Sequence, residues 1–348
     1  MEKESRTELS KIGEFGLIEL LKKDVRYFQK NTLTGIGDDA AVIDLGEDVL
    51  VVTTDMLIEG VHFDLTYMPL KHLGYKAIAA NVSDIAAMNA IPQQVTVSIA
   101  VSNRFSVEAV MEFYKGINAA CENYKVDLAG GDTTSSLSGL IISITALGRV
   151  TKEEVVLRST AKNSDLICVT GDLGGAYMGL QTLEREKQEY LANPAMQPQL
   201  EGKDYVIQRQ LKPEARTDVI HELKELNIIP TSMIDISDGL ASELLHICSS
   251  SKVGARIYED KLPIDNITYE TAREFNLDPT VCALNGGEDY ELLFTVKQED
   301  FDKLKNHPDI TIVGHIVPAE QGINMVSKGD NIVPLTAQGW VHFKPENE

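Results

Sequence analysis

Five segments of this chain carry isolated acids where charge is otherwise absent. Asp84 is the only charged residue in positions 77–103, Asp132 the only one in 128–148, and Asp55 the only one in 49–58. Asp38 and Asp39 stand alone in 32–43, as do Asp235 and Asp238 in 226–242. Each lies beside Gly, Ser, Thr or Asn at the end of an apolar segment. An ionised carboxylate in apolar surroundings is costly unless something pairs with it. Lysine and arginine are missing from these same segments, which leaves two readings. The acids either serve as separate turn and helix-start caps, or they converge on divalent cations. Hard oxygen donors favour magnesium or calcium over zinc or copper. An EF-hand loop does not fit, because the twelfth position from Asp235 is His246 rather than Glu. Carboxylates from distant segments sharing hydrated ions form the magnesium pattern used with polyphosphates.

Glycine pairs supply the second kind of chemistry, because backbone amides in tight turns can approach phosphate oxygens. Candidates are Gly35-Ile36-Gly37, Gly130-Gly131, Gly174-Gly175 and Gly286-Gly287. The run Gly35 to Ala40 formally matches G-x-G-x-x-A, yet polar residues precede it and two acids inside the loop would repel a bare pyrophosphate. A Walker A loop is absent, since Gly202-Lys203 is followed by Asp204. The protein-kinase motifs are missing as well. A nucleotide, if bound, is bound by another architecture.

The elements that must position these residues alternate in type. Strands are predicted over 49–54, 94–101, 140–150, 165–170, 231–236 and 291–296, and helices over 69–90, 107–124, 239–250, 267–275 and 299–305. The polar stretch 184–204, with Pro194 and Pro198, reads as a surface excursion. The fold class is α/β with mixed sheets in two domains, 1–150 and 151–348, divided near the polar run Thr151 to Glu154.

Bulk composition narrows the partners. A net charge of −21 over 348 residues argues against a nucleic-acid partner, which requires a basic face. Phosphate substrates stay possible provided that cations stand between them and the carboxylates. No apolar run is long enough for a membrane span. Cys121, Cys168, Cys248 and Cys282 are far apart and read as reduced residues of a cytoplasmic protein, with no leader predicted at the charged start of the chain.

Taken together, the segments resemble thiamine-monophosphate kinase. They are Gly35–Ala41, Thr53-Thr54-Asp55-Met56-Leu57, Glu59-Gly60-Val61-His62-Phe63, Asn81–Met88 with Ser83-Asp84, Gly130-Gly131-Asp132-Thr133-Thr134, Asp235-Ile236-Ser237-Asp238-Gly239-Leu240 and Gly286-Gly287-Glu288-Asp289-Tyr290-Glu291-Leu292. The blocks keep the family's order across nearly the whole chain. The wider group includes aminoimidazole ribonucleotide synthetase and selenide water dikinase. The resemblance implies a homodimer in which the 1–150 domain joins its copy in a barrel that spans both subunits. It places ATP between that domain and the glycine-rich 151–348 domain.

By matched position it implies magnesium ligands at Asp39, Thr53, Thr54, Asp55, Asp84, Asp132 and Asp235, joined by Asp238. It implies ATP contacts at Gly131, Asp132, Arg158 and Ser237, and thiamine phosphate contacts at His62, Glu288 and Trp340. By residue type alone, His62 fits a structural histidine, Trp340 a core anchor, Arg158 a surface cation and Glu288 a turn residue. No residue is expected to act as a general base. The other readings are a further ATP-dependent synthetase of the same group, and a non-catalytic protein that binds divalent ions or nucleotide. The stretch 184–204 departs from the family by its length and lies outside the motifs.

Overall fold

A computed structural model describes residues 9–338. The first half comprises α1 (Gly13–Lys22), β1 (Thr32–Thr34), β2 (Ala41–Asp44), β3 (Asp48–Ile58), α2 (Leu70–Ala87), β4 (Ile91–Val101), α3 (Val107–Tyr124), β5 (Asp127–Ser135) and β6 (Leu140–Thr151). Its six strands form one sheet in the order β1-β2-β3-β6-β4-β5, antiparallel except for β4 and β5. Alternation along β3, β4 and β6 turns Val49, Val51, Val95, Val97, Ile142 and Ile144 inward, where α2 and α3 cover them. On the opposite face Val52, Ser98, Ser143 and Thr145 are only half-buried and Thr54 is exposed.

The second half contains β7 (Leu166–Thr170), α4 (Gly175–Ala192), α5 (Asp204–Leu211), α6 (Thr217–Glu225), β8 (Ser232–Asp235), α7 (Leu240–Ser251) and β9 (Gly254–Tyr258). It continues with α8 (Asn266–Glu274), α9 (Pro279–Asn285), β10 (Leu292–Val296), α10 (Phe301–Leu304), β11 (Ile310–Val317), β12 (Ile323–Val326) and β13 (Ile332–Pro334). Its sheet runs β13-β12-β9-β11-β7-β10-β8. The molecule is thus mixed α/β with two mixed sheets, as the patterning predicts.

Helix α2 joins the halves. It is apolar on nearly every side, with fourteen of its residues buried, as befits a helix enclosed by protein. Leu73 and Ile78 belong to the first core, whereas Ala86 and Ala87 pack with Val219, Leu223 and Leu292 of the second half. Against α3 it packs at glycine distance. A Cβ at Gly74 would lie 2.1 Å from the Phe113 carbonyl oxygen, and one at Gly116 1.9 Å from that of Lys71. Gly116→Val should therefore force the helices apart and destabilise the protein by about 3 kcal/mol, the upper range for overpacking. Urea denaturation checks this, and an unchanged midpoint would refute the close crossing.

Two expectations need correction. The first part of the 184–204 excursion is helix, because α4 runs on to Ala192 and stops before Pro194. Its polar residues form a solvated face, while Leu183 and Glu186 are buried. Gly130-Gly131 is no turn. It lies within β5, and Gly131 passes so close to β4 that a Cβ would stand 1.9 Å from the Val97 carbonyl oxygen.

Candidate active site

Strand period two places Thr53 and Asp55 on the helix-covered side of β3, facing the last turns of α2. There the Thr53 hydroxyl donates to Asp84 Oδ2 at 2.6 Å, and the Asp55 amide donates to Asn81 Oδ1 at 3.2 Å. The neighbouring Ser83 hydroxyl donates to Asp235 Oδ2 at 2.7 Å, at the end of β8. Asp39 arrives from the loop before β2. Arg158 grips it with two bonds, Nε to Oδ2 at 2.9 Å and Nη2 to Oδ1 at 2.5 Å, while the Arg158 amide donates to Asp38 at 3.2 Å. Asp39, Asp84 and Asp235 consequently offer carboxylate oxygens that all lie within 4.8 Å of one another. Three segments remote in sequence converge there.

This crowding is electrostatically unfavourable. Burial, then the charges of Asp55, Asp235 and Asp39, push the Asp84 carboxyl well above the ordinary range. Burial and Asp39 push Asp235 up to about 7, and the same causes push Asp38 up to about 7. Asp55 is raised by burial, by Asp39 and by Glu14. A folded-state pKa above the unfolded value means that the native protein retains protons the unfolded chain has lost. Stability from these acids is therefore present near pH 4 and lost as pH rises toward 7. With a chelator present, the thermal midpoint should fall across that window, and magnesium should flatten the fall. A midpoint that ignores magnesium at pH 7 would contradict a shared cation.

Asp55, Asp84 and Asp235 line a cleft of about 890 Å³ together with Ser237, Asp238, His62 and Glu288. His62 Nδ1 accepts the Ile58 amide at 3.0 Å, which puts the proton of the neutral ring on Nε2. Glu288 sits in a left-handed turn, φ +65°, and its carboxylate is bound by Lys76 at 2.9 Å and by Gln210 at 2.7 Å. The Asp238 amide donates to Glu243, which reaches back from the first turn of α7.

Other expected residues are not gathered here. Thr54 points to the opposite face of the sheet and donates to the Ile144 carbonyl at 2.9 Å. Gly131 and Asp132 lie on the exposed strand β5. Trp340 lies outside the described residues. Gly174-Gly175 cannot serve as an anion cradle, because Asp289 already accepts the Gly174 and Ala176 amides at 2.7 and 3.2 Å. Sequence reasoning missed Lys76, Asn81 and Gln210. The signal for Lys76 was available: it is the last charge before the run that holds only Asp84.

Two α/β halves with acids from both meeting at one cleft place the chain in a defined class. Residues 37–150 match the family model described as AIR synthase related protein, N-terminal domain, and residues 163–325 match AIR synthase related protein, C-terminal domain. The chain is 38% identical over 338 residues to the thiamine-monophosphate kinase of Buchnera aphidicola subsp. Schizaphis graminum, covering 95% of this chain and 99% of that one. It is 36% identical to the Bacillus subtilis enzyme of the same name, over 89% of this chain and 93% of that one. The solved structure of AaThiL complexed with AMPPCP and TMP superposes with a TM-score of 0.82 at 33% identity, over 97% of this chain and 99% of that one. The chain belongs to the thiamine-monophosphate kinase family.

Proposed function

We propose that this protein transfers the γ-phosphoryl group of ATP to the phosphate of thiamine monophosphate, giving thiamine diphosphate and ADP. The observation that carries this reading is the convergence of Asp39, Asp84 and Asp235, the last two of which line a cleft shared with His62 and Glu288. The carboxyl groups raised by burial and by mutual repulsion, and the all-oxygen donor set, fit magnesium. Asp39, Asp84 and Asp235 would hold it, with Thr53, Asp55 and Asp238 alongside. Bound there, magnesium supplies positive charge between two anionic phosphates.

The protein's own groups do the rest. Arg158 holds Asp39 in place and, with Ser237, borders the ATP position. His62 and Glu288 flank the acceptor, with Trp340 retained as a third contact. A phosphomonoester has a second pKa of about 6, so the attacking oxygen is already largely anionic at neutral pH and needs little help from a base. Transfer is direct and in line. Purified protein given ATP, magnesium and thiamine monophosphate should form thiamine diphosphate without a phosphoenzyme. A phosphorylated protein on the turnover pathway would refute direct transfer, and absence of thiamine diphosphate would refute the function.

The active form is a homodimer of two-domain chains, 1–150 providing metal and dimer contacts and 151–348 completing the site. Support comes from β5, where every residue is exposed, and from β3, whose outer edge is paired with β2 only over residues 49–52. Such open edges invite pairing with another chain. If β5 of one copy adds to residues 53–58 of the other, β3, β6, β4 and β5 of both close into a barrel around the half-buried sheet faces. Asp132 is in register with Ser98, Ser98 with Ser143, and Ser143 with Met56, so Asp132 shares the open face with Thr54. Gly131 and Asp132 are thereby carried to the partner's Thr53-Thr54-Asp55 segment, with Asp132 on the side of Thr54. Among the described residues no helix is long and apolar enough to cross a membrane, and the four cysteines are free; a cytoplasmic location accords with the free thiols.

A further inference from the structure

We propose that Lys76 is a positioning residue for the acceptor site: it holds Glu288 in one orientation at the cleft wall, where the carboxylate meets the cationic ring system of the acceptor. This rests on the reading of Glu288 as an acceptor contact. Lys76 is 1% exposed. Its Nζ donates to Glu288 Oε1 at 2.9 Å and to the Gln210 carbonyl at 3.1 Å. Gln210 Nε2 donates to Glu288 Oε2 at 2.7 Å. Both carboxylate oxygens are thus anchored, one from α2 and one from α5, in different halves of the molecule. The backbone is anchored too, since the Glu288 amide donates to the Ser237 carbonyl at 2.7 Å.

Stability does not account for this arrangement. Taking an ammonium fully out of water is costly, and an apolar side chain of similar shape would fill the space at least as well. Gln210 Oε1 is buried without a partner, so the amide's orientation serves Glu288 rather than its own hydrogen bonding. The need is electrostatic. Asp55, Asp84, Asp235 and Asp238 line the same cleft, and a loose Glu288 carboxylate would swing toward any cation they gather. A buried, fixed ammonium holds Glu288 in place at the cleft wall.

The test is steady-state kinetics of the full chain with magnesium, varying each substrate, for Lys76→Met, Glu288→Gln, Gln210→Met and the Lys76→Met/Glu288→Gln double variant. Lys76→Met should raise KM for thiamine monophosphate about tenfold or more, the scale of one charge-assisted hydrogen bond, and leave KM for ATP within about twofold. Gln210→Met should move the same constant by less. The double variant should be no worse than the poorer single variant, because both act through one carboxylate. Additive losses, or equal changes in kcat and both KM values accompanied by a lower thermal midpoint, would show a structural role and overturn the proposal. If Glu288→Gln leaves KM for thiamine monophosphate unchanged, the acceptor reading of Glu288 fails and the proposal with it. If Glu288→Gln raises that KM and Lys76→Met does not, only the proposal fails. Should Lys76→Met not fold, the double variant, free of an unpaired buried charge, decides: a KM that matches the Glu288→Gln value supports the proposal, and one well above it overturns it.

Discussion

Asp84→Asn is expected to lower kcat by about 10²- to 10⁴-fold, the several kcal/mol that a positioned divalent ion contributes to phosphoryl transfer. In chelator the same change should raise the thermal midpoint by a few degrees at pH 7. Both effects have one cause. Asp84 lies within 4.8 Å of Asp39 and Asp235 through its ligand oxygens, and burial together with three neighbouring acids pushes its carboxyl well above the usual range. An acid with a raised folded pKa subtracts stability at pH 7, and a neutral amide removes that cost. Asparagine keeps the side-chain volume and can still accept the Thr53 hydroxyl through its carbonyl oxygen. The fold should survive while the cation does not stay. Calorimetry with and without magnesium, alongside the coupled ADP assay, reads both halves. Wild-type turnover across magnesium concentrations would remove Asp84 from the metal set. Lost turnover with a lowered midpoint in chelator would mean that its carboxylate is structural.

The acid cluster was legible in the sequence because charge was so sparse around it. Asp84 is the only charge in 77–103, and such an acid needs a partner that the chain itself does not supply nearby. Helix α3 was legible to the residue, since its amphipathic period begins directly after Ser106, whose side chain caps the Ala109 amide. Strand β5 was not. Two glycines and a run of small polar residues have weak strand preference, and only pairing with β4 makes them extended. The same gap hid why Asp132 stands apart from Asp39. Its separation follows from the order in which strands join the sheet, which local pattern does not encode; Thr54 stands apart only because neighbouring strand residues face opposite sides. Lys76 was overlooked for the opposite reason: its partner Glu288 is remote in sequence, and an apolar helix gives no hint of what its buried cation meets.

A heterodimer made from one Asp84→Asn chain and one Asp132→Asn chain should regain about half of the wild-type dimer's turnover, although each homodimeric variant is nearly inactive. The reasoning is geometric. Within one chain Asp132 lies on β5, and β4 and β6 intervene before β3. At about 4.8 Å per strand, roughly 14 Å along the sheet separates Asp132 from the residues of β3, too far for one ion to bridge them. Pairing of β5 with the partner's residues 53–58 reduces three strand spacings to one. In the heterodimer one site then combines both lesions and the other carries none. Co-expression with two different tags, followed by sequential affinity purification, isolates that species. If Asp132 instead serves its own chain, each site carries one lesion and the heterodimer stays as inactive as its parents. If Asp132→Asn alone retains full turnover, Asp132 is no ligand in either chain, and its exposure on β5 marks a sheet edge only.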